Sequence, residues 1–199
     1  MINALKQLQK QLKGELKLDE TTLILYSTDA SAYRQRPIAV FIPENDCIDD
    51  IKLLLDFCKK HNTFLIPRAA GTSLAGQVVG NGIVVDVSKN LNKILEVNAE
   101  EKWVRVQAGV VLQQLNQYLK QYNLLFGPET STANRCCIAG MVGNNSCGLH
   151  SLVYGSTREH LLEANVILSD GNQVVLKQYS EKEFSAKAQQ EDLEGKIYK

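Results

Sequence analysis

The chain has 199 residues, 44% apolar and 22% charged, a composition that suits a soluble globular protein with one substantial domain or two small ones sharing a core. Lysine plus arginine and aspartate plus glutamate each number 22, so no global field draws in nucleic acid or anionic lipid, and no basic run supplies a local patch. No segment is apolar for long enough to cross a bilayer, and the amino terminus lacks the apolar core of a secretory leader.

Residues 1–17 alternate leucine with lysine and glutamine at helical spacing, which predicts an amphipathic helix with a solvated basic face. Residues 39–43 form a short apolar run ending in proline and read as a strand. Asn45 or Asp46 is then expected to cap a helix whose first turn carries Asp49 and Asp50, favourable beside the positive end of the helix dipole. Ile51, Leu54, Leu55 and Cys58 repeat at helical spacing, and the helix is expected to stop near His61. With a strand at 63–66, residues 39–66 make a β-α-β unit, and the loop that follows lies at the carboxyl end of parallel strands, where ligands usually bind.

That loop holds the most informative residues: Pro67, Arg68, Ala69, Ala70, Gly71, Thr72, Ser73 and Leu74, ahead of a strand at 83–87. Small residues around a glycine let several backbone N–H groups turn inward together as an anion nest, with the Thr72 and Ser73 hydroxyls as added donors. On these residues alone the stretch is either such a nest or a plain strand connection. Strands at 93–98 and 103–107 form a hairpin, and Val111, Leu112, Leu115, Tyr118, Leu119 and Tyr122 a second amphipathic helix.

Residues 123–155 are rich in Gly, Asn, Ser, Thr and Cys and read as irregular, and so long an irregular stretch is usually functional or disordered. Its small residues around Ala139 and Gly140 allow a flat ligand to approach the backbone, with Asn144, Asn145 and Ser146 as neutral hydrogen-bonding groups. Ser156 and Glu159 fit a capping box, strands at 164–168 and 173–177 flank the turn pair Asp170-Gly171, and residues 178–199 read as the start of a linker or a helix. Neither glycine-rich region is a G-x-G-x-x-G at the head of a helix or a P-loop, which argues against a Rossmann site and an NTPase.

The five cysteines, at 47, 58, 136, 137 and 147, have no C-x-x-C spacing. Cys58 falls on an apolar helix face as a buried thiol, and no histidine stands at zinc spacing from the other three, so no metal site is expected. Reduced cysteines suit a cytoplasmic protein. His150 and His160 read as surface, capping or packing residues, and Arg68 as either a cofactor contact or half of a structural salt bridge.

The collinear order P-R-A-A-G-T-S-L (67–74), V-D-V-S (85–88), V-R-V-Q-A-G (104–109), P-E-T-S (128–131), I-A-G-M-V-G-N-N-S-C-G (138–148), Y-G-S-T-R-E-H (154–160) and L-S-D-G (168–171) resembles one superfamily. It is similar to the FAD-linked oxidases, whose flavin domain is of the vanillyl-alcohol oxidase and p-cresol methylhydroxylase type. Within them it looks most like the D-lactate dehydrogenase, glycolate oxidase flavin-subunit and D-2-hydroxyglutarate dehydrogenase branch. The resemblance runs from about Tyr26 to Lys177.

The resemblance implies an α+β, two-part FAD-binding domain, with a small parallel β-α-β subdomain packed against a mixed or antiparallel sheet with helices. The expected divisions are an N-terminal helix (1–25), the β-α-β subdomain with the pyrophosphate loop (26–90), a second FAD subdomain (91–177), and a linker (178–199) toward a substrate domain outside this chain. Ala69 to Leu74 would wrap the FAD pyrophosphate with backbone N–H groups, next to Pro67 and Arg68. Pro128, Glu129, Thr130 and Ser131 would line the cofactor, with Ser131 a hydrogen-bond partner. Ile138, Ala139, Gly140 and Met141 would pass close to the flavin, and Asn145, Ser146 and Gly148 match the family's N-S-G-G. Ala139 and Cys147 stand where the family usually has glycines. Relatives with covalent flavin place a histidine where Thr72 stands, so noncovalent FAD is implied.

The reaction implied is oxidation of a small 2-hydroxy acid by hydride transfer to flavin N5. The family's catalytic base and substrate-carboxylate ligands come largely from a second domain, so the chain reads as a fragment and no catalytic residue is assigned within it. Electrons would leave to an iron–sulfur segment or a quinone-linked carrier, in the cytoplasm or peripherally on the inner membrane face. The competing readings are a noncatalytic FAD-binding module, or a transferase or reductase on the same scaffold.

Overall fold

A computed structural model of the protein describes residues 1–45 and 47–199. The described residues fall into two compact units, Met1–His160 and Leu161–Lys199.

The first unit is built on a four-stranded mixed sheet of β1 (Glu15–Lys17), β2 (Ala39–Ile42), β3 (Leu65–Arg68) and β4 (Ile83–Asp86), in the order β1-β2-β4-β3. The strands β2, β4 and β3 are parallel, and β1 runs antiparallel on β2. The two central strands, β2 and β4, are almost wholly buried, as strands covered on both faces must be. Alternation decides what each face meets. Leu16, Ala39, Phe41, Ile83 and Val85 pack with Leu5 and Leu8 of α1 (Ile2–Gln9) and with Leu54, Phe57 and Cys58 of α3 (Ile48–His61). Val40, Ile66 and Val84 face the other way, onto Leu23 of α2 (Glu20–Leu25), Tyr26 and Val78.

The helix expected over 1–17 ends at Gln9, so residues 1–25 are helix, strand and helix. The cause is a long-range clamp. The Asp50 carboxylate, 1% exposed, accepts from the backbone N–H of Lys13 at 3.1 Å and of Gly14 at 2.8 Å, which holds the chain extended into β1. Asp50 therefore serves this clamp as well as the dipole of α3. The cap of α3 is Cys47; Asn45 lies ahead of it and accepts from Gln107 Nε2 at 3.4 Å, and Asp46 lies outside the described residues.

Pro67 and Arg68 belong to strand β3 and not to the loop after it. Proline is tolerated there because β3 is the edge of the sheet, where a missing N–H breaks no ladder bond. Beyond β4, β5 (Ile94–Asn98) and β6 (Trp103–Val106) form the expected antiparallel hairpin, with a register shift between Ile94 and Glu96. Helix α4 (Leu112–Leu119) buries Leu112, Leu115 and Leu119 and ends in a 3-10 turn, Lys120–Tyr122.

The stretch 123–155 is less irregular than its composition implied. It contains α5 (Ile138–Asn144) and a short α6 (Ser151–Tyr154), followed by a 3-10 turn, Thr157–His160. Met141 anchors α5, buried with Leu112 and Cys136, and Ile138 packs against the same cluster. These two residues at i and i+3 outweigh the low helix propensity of the glycines.

The second unit contains the antiparallel pair β7 (Glu163–Ile167) and β8 (Gln173–Lys177), with Gly171 in the turn at φ +92°. It then forms two helices, α7 (Glu181–Ala188) and α8 (Leu193–Tyr198), where a linker was one of the expectations. Ser180 and Glu183 close a full capping box on α7, and Asp192 caps α8 through Gly195 N–H at 2.9 Å. Lys187 of α7 pairs with Glu194 of α8, its ammonium 5.1 Å from the Tyr179 ring centre.

Candidate functional site

The connection from β3 to β4 leaves the sheet at the carboxyl end of its parallel strands. Gly71 turns at φ +66° and Gly76 at φ +72°. The turn at Gly71 is fixed from outside, where its carbonyl accepts from Ala30 N–H at 3.1 Å. The N–H groups of Gly71, Thr72, Ser73 and Leu74 meet no protein acceptor among the described residues. These four successive donors are left to solvent or to a ligand. The Thr72 and Ser73 side chains are half-buried, and Leu74 is 80% exposed at the tip.

Arg68, at the end of β3, lies under this turn. A side chain at Gly71 would begin 2.5 Å from Arg68 Nη2. The guanidinium donates from Nη1 to the Thr28 carbonyl at 2.8 Å and sits over the Tyr26 ring, 5.1 Å from its centre. The salt bridge that was one reading of Arg68 is not formed among the described residues. Asp86, at the end of β4, is 2% exposed and saturated with donors: Tyr26 Oη at 2.5 Å, Ser88 N–H at 2.8 Å and Ser88 Oγ at 2.6 Å. Burial first, then the Asp86 hydrogen bond, push the Tyr26 phenol above its ordinary range.

The second glycine-rich region touches this loop. Gly140 of α5 faces Ala69 so closely that a side chain there would begin 3.2 Å from the Ala69 Cβ. Asn144 Oδ1 accepts from Gln77 Nε2 at 2.7 Å, and Gln77 N–H in turn reaches Ser73 Oγ at 3.2 Å. The entrance to α5 is stitched to the turn before α4: Ile138 N–H donates to the Val110 carbonyl at 2.9 Å and Ala139 N–H to the Ala108 carbonyl at 3.0 Å. Cys137 sits at this joint, near Ala70 N–H and Asp86. Burial first, then its neighbours Cys136 and Asp86, push its thiol up to about 11.

The remaining expected residues hold one another. Pro128 is buried, and Gly148 lies against the Glu129 carbonyl, where a Cβ would begin 2.5 Å from the oxygen. Glu129 Oε1 accepts from His150 Nδ1 at 2.9 Å and from its N–H at 3.2 Å. Thr130 Oγ1 lies 3.2 Å from Cys136 Sγ, and Ser131 is exposed. Asn145, at φ +45°, accepts from Arg158 N–H at 2.9 Å; the Ser146 carbonyl accepts from Thr157 Oγ1 at 2.7 Å; Gly148 N–H donates to Ser151 Oγ at 2.8 Å. Met141 is 1% exposed, so its side chain serves the core and only its backbone is left to line a site.

His160 packs edge-on to Phe126, 5.5 Å between ring centres, in keeping with a packing role. Tyr33 packs on Gly76 and, with Arg34, lines a shallow depression shared with Ala75 and Val79. Among the described residues no cluster of His, Cys, Asp or Glu could hold a metal ion, Cys58, Cys136, Cys137 and Cys147 are free thiols, and no helix is long and apolar enough to cross a membrane. Sequence reasoning gave no role to Tyr26, Asp86 or Gln77. Asp86 stood inside a quoted motif, and nothing in the sequence pairs Gln77 with Asn144.

Residues 37–177 match the family model described as an FAD binding domain. The chain is 40% identical over 163 residues to D-2-hydroxyglutarate dehydrogenase of Pseudomonas putida, covering 81% of this chain and 16% of that protein. It is 34% identical to the mitochondrial D-lactate dehydrogenase [cytochrome] of Kluyveromyces lactis, covering 80% of this chain and 28% of that protein. It thus spans about a sixth to a quarter of these relatives. The solved structure of p-cresol methylhydroxylase with substrate bound has the same fold, with a TM-score of 0.73 at 16% identity over 87% of this chain and 35% of that one.

Proposed function

The chain belongs to the FAD-binding domain family, and from that premise we propose that it holds FAD noncovalently for a dehydrogenase that oxidises a small 2-hydroxy acid. The observation that carries the reading is the row of N–H groups at Gly71, Thr72, Ser73 and Leu74 that meet no acceptor among the described residues, above an arginine that meets no carboxylate among them. Such a row fits a pyrophosphate, which needs several convergent donors and a nearby cation. The small residues at Ala69, Ala139 and Gly140 suit the flat part of the same cofactor, because none carries a side chain beyond Cβ.

In this reading the backbone of residues 69–74 binds the pyrophosphate. Pro128, Glu129, Thr130 and Ser131 line the cofactor's course, while Ile138, Ala139, Gly140 and Met141 offer backbone beside the flavin. Asn145, Ser146 and Gly148 keep that wall in shape through their bonds to residues 151–158. Bound FAD would supply the hydride-accepting N5, and the protein's part is to bind, orient and shield it. Thr72 is no nucleophile toward a flavin ring, which supports noncovalent attachment. No residue of this chain is assigned as the catalytic base.

The relatives named for D-2-hydroxyglutarate and D-lactate support a 2-hydroxy acid as substrate. We place the electron acceptor among iron–sulfur or quinone-linked carriers. The free thiols of Cys58, Cys136, Cys137 and Cys147 support a cytoplasmic setting, which includes the inner membrane face. The test is titration of the chain with FAD, followed by absorbance and flavin fluorescence. Saturable uptake with flavin bands is expected, and failure to take up FAD on reconstitution overturns the cofactor reading. For the protein as isolated from its source, D-2-hydroxy acids are expected to bleach the flavin. Bound FAD that none of them bleaches leaves a flavin-binding module instead.

A further inference from the structure

Arg68 and Asp86 are register partners on the adjacent parallel strands β3 and β4. Partners in register point to the same face of a sheet, here the face that carries Ile66, Val84 and Tyr26. Opposite charges so placed ordinarily pair, and a partly buried arginine beside a buried carboxylate has every reason to do so. Here they do not. The Tyr26 ring stands between them: its hydroxyl donates to Asp86 Oδ2 at 2.5 Å and its face carries the Arg68 guanidinium at 5.1 Å. Asp86 Oδ1 is occupied by Ser88 through both N–H and Oγ. The carboxylate is thus fully served without the arginine. The guanidinium is left with one carbonyl, that of Thr28, and lies under the Gly71 turn.

We infer that Tyr26 is a positioning residue that keeps Arg68 from pairing with Asp86, so that the guanidinium's charge stays beneath the Gly71 turn for the cofactor's pyrophosphate. This rests on the FAD reading above. Removing the Tyr26 hydroxyl strips Asp86 Oδ2 of its donor, and the guanidinium of its register partner Arg68 is a cation that can replace it. Once paired, its charge is neutralised and drawn away from the loop.

The test measures FAD affinity of the whole chain by fluorescence titration at low and high salt, with ADP as a second probe that carries the pyrophosphate without the ring. Tyr26→Phe is expected to weaken both ligands about tenfold, the scale of one charge-assisted hydrogen bond, and to flatten the salt dependence. Asp86→Asn removes the competing charge and is expected to stay within about twofold of wild type. The double variant Tyr26→Phe/Asp86→Asn is expected to recover most of the loss. A merely structural Tyr26 predicts the opposite: Asp86→Asn as damaging as Tyr26→Phe, and no recovery in the double variant. That result overturns the inference, as does wild-type affinity in Tyr26→Phe. If Tyr26→Phe does not fold, Asp86→Asn alone decides: tenfold weaker binding overturns the inference, and unchanged or tighter binding supports it. A wild-type chain that takes up no FAD fails the cofactor reading itself, whereas uptake with an indifferent Tyr26→Phe fails only this inference.

Discussion

In the loop after β3, the N–H groups of Gly71, Thr72, Ser73 and Leu74 find no acceptor among the described residues, whereas around α5 the polar groups of Asn145, Ser146 and Gly148 are bound within the region. The two regions have similar glycine-rich compositions and meet where Gly140 faces Ala69. One is a set of donors that we propose binds an anion. The other is a pre-tied scaffold whose contribution is shape. Small residues therefore do different work in each: at Gly71 a backbone conformation, at Gly148 and Gly140 a closeness of approach. A change in the scaffold should be read in stability, and a change in the loop in ligand affinity.

The sharpest way to break this contrast is Gly148→Ala. Its Cβ would begin 2.5 Å from the Glu129 carbonyl oxygen, a backbone atom that cannot swing aside. Overpacking of this kind costs about 3 kcal/mol, and the melting temperature should fall by about 10 °C. Gly140→Ala is the control. Its nearest neighbour is the Ala69 Cβ at 3.2 Å, so stability should change by less than about 1 kcal/mol while FAD affinity falls. If calorimetry gives both variants equal destabilisation, Gly140 belongs to the tied scaffold and not to a face turned toward the loop.

Next in size is Gly71→Ala. A non-glycine residue at φ +66° is strained by about 1–2 kcal/mol. The new methyl would also start 2.5 Å from Arg68 Nη2, the movable end of a long side chain. The arginine will yield before the backbone does. Chemical denaturation should therefore show a loss of about 1–2 kcal/mol, with FAD affinity down about tenfold from the displaced cation. An unchanged affinity would mean that neither the turn nor Arg68 touches the ligand.

Much of this was legible in the sequence because it depended on local pattern. Ile51, Leu54 and Cys58 marked α3, Asp170-Gly171 marked its hairpin, and the strands around the loop lay within two residues of their positions. What escaped was set by distant residues. The turn from helix to strand at 10–14 depends on Asp50, and Pro67 joins β3 only because that strand is an edge. Helix α5 was hidden by its glycines, since two apolar anchors decided it against propensity. In the site the loop could be found by composition. The pairing of Tyr26 with Asp86, or of Gln77 with Asn144, could not, because a hydrogen bond across sixty residues leaves no spacing to read.

The smallest expected effect separates fold from site by pH. Burial pushes the Cys58 thiol up to about 11, and burial, Cys136 and Asp86 do the same for Cys137, from an ordinary 9.0. A thiol whose folded value is raised keeps its proton longer in the folded state. Its stabilising contribution is whole below pH 9 and is lost as pH rises through 11. Each group accounts for about 1–2 kcal/mol of that fall, measured by denaturant titration at pH 8, 9.5 and 11. Cys58 lies in the core beneath the sheet with Leu54 and Phe57, so Cys58→Ala should flatten the stability profile and leave the pH dependence of FAD affinity unchanged. Cys137 lies at the joint with Ala70 N–H, so Cys137→Ala should flatten both. If the two variants alter the two profiles alike, the joint at Cys137 is part of the core, and the boundary between scaffold and site lies closer to the loop.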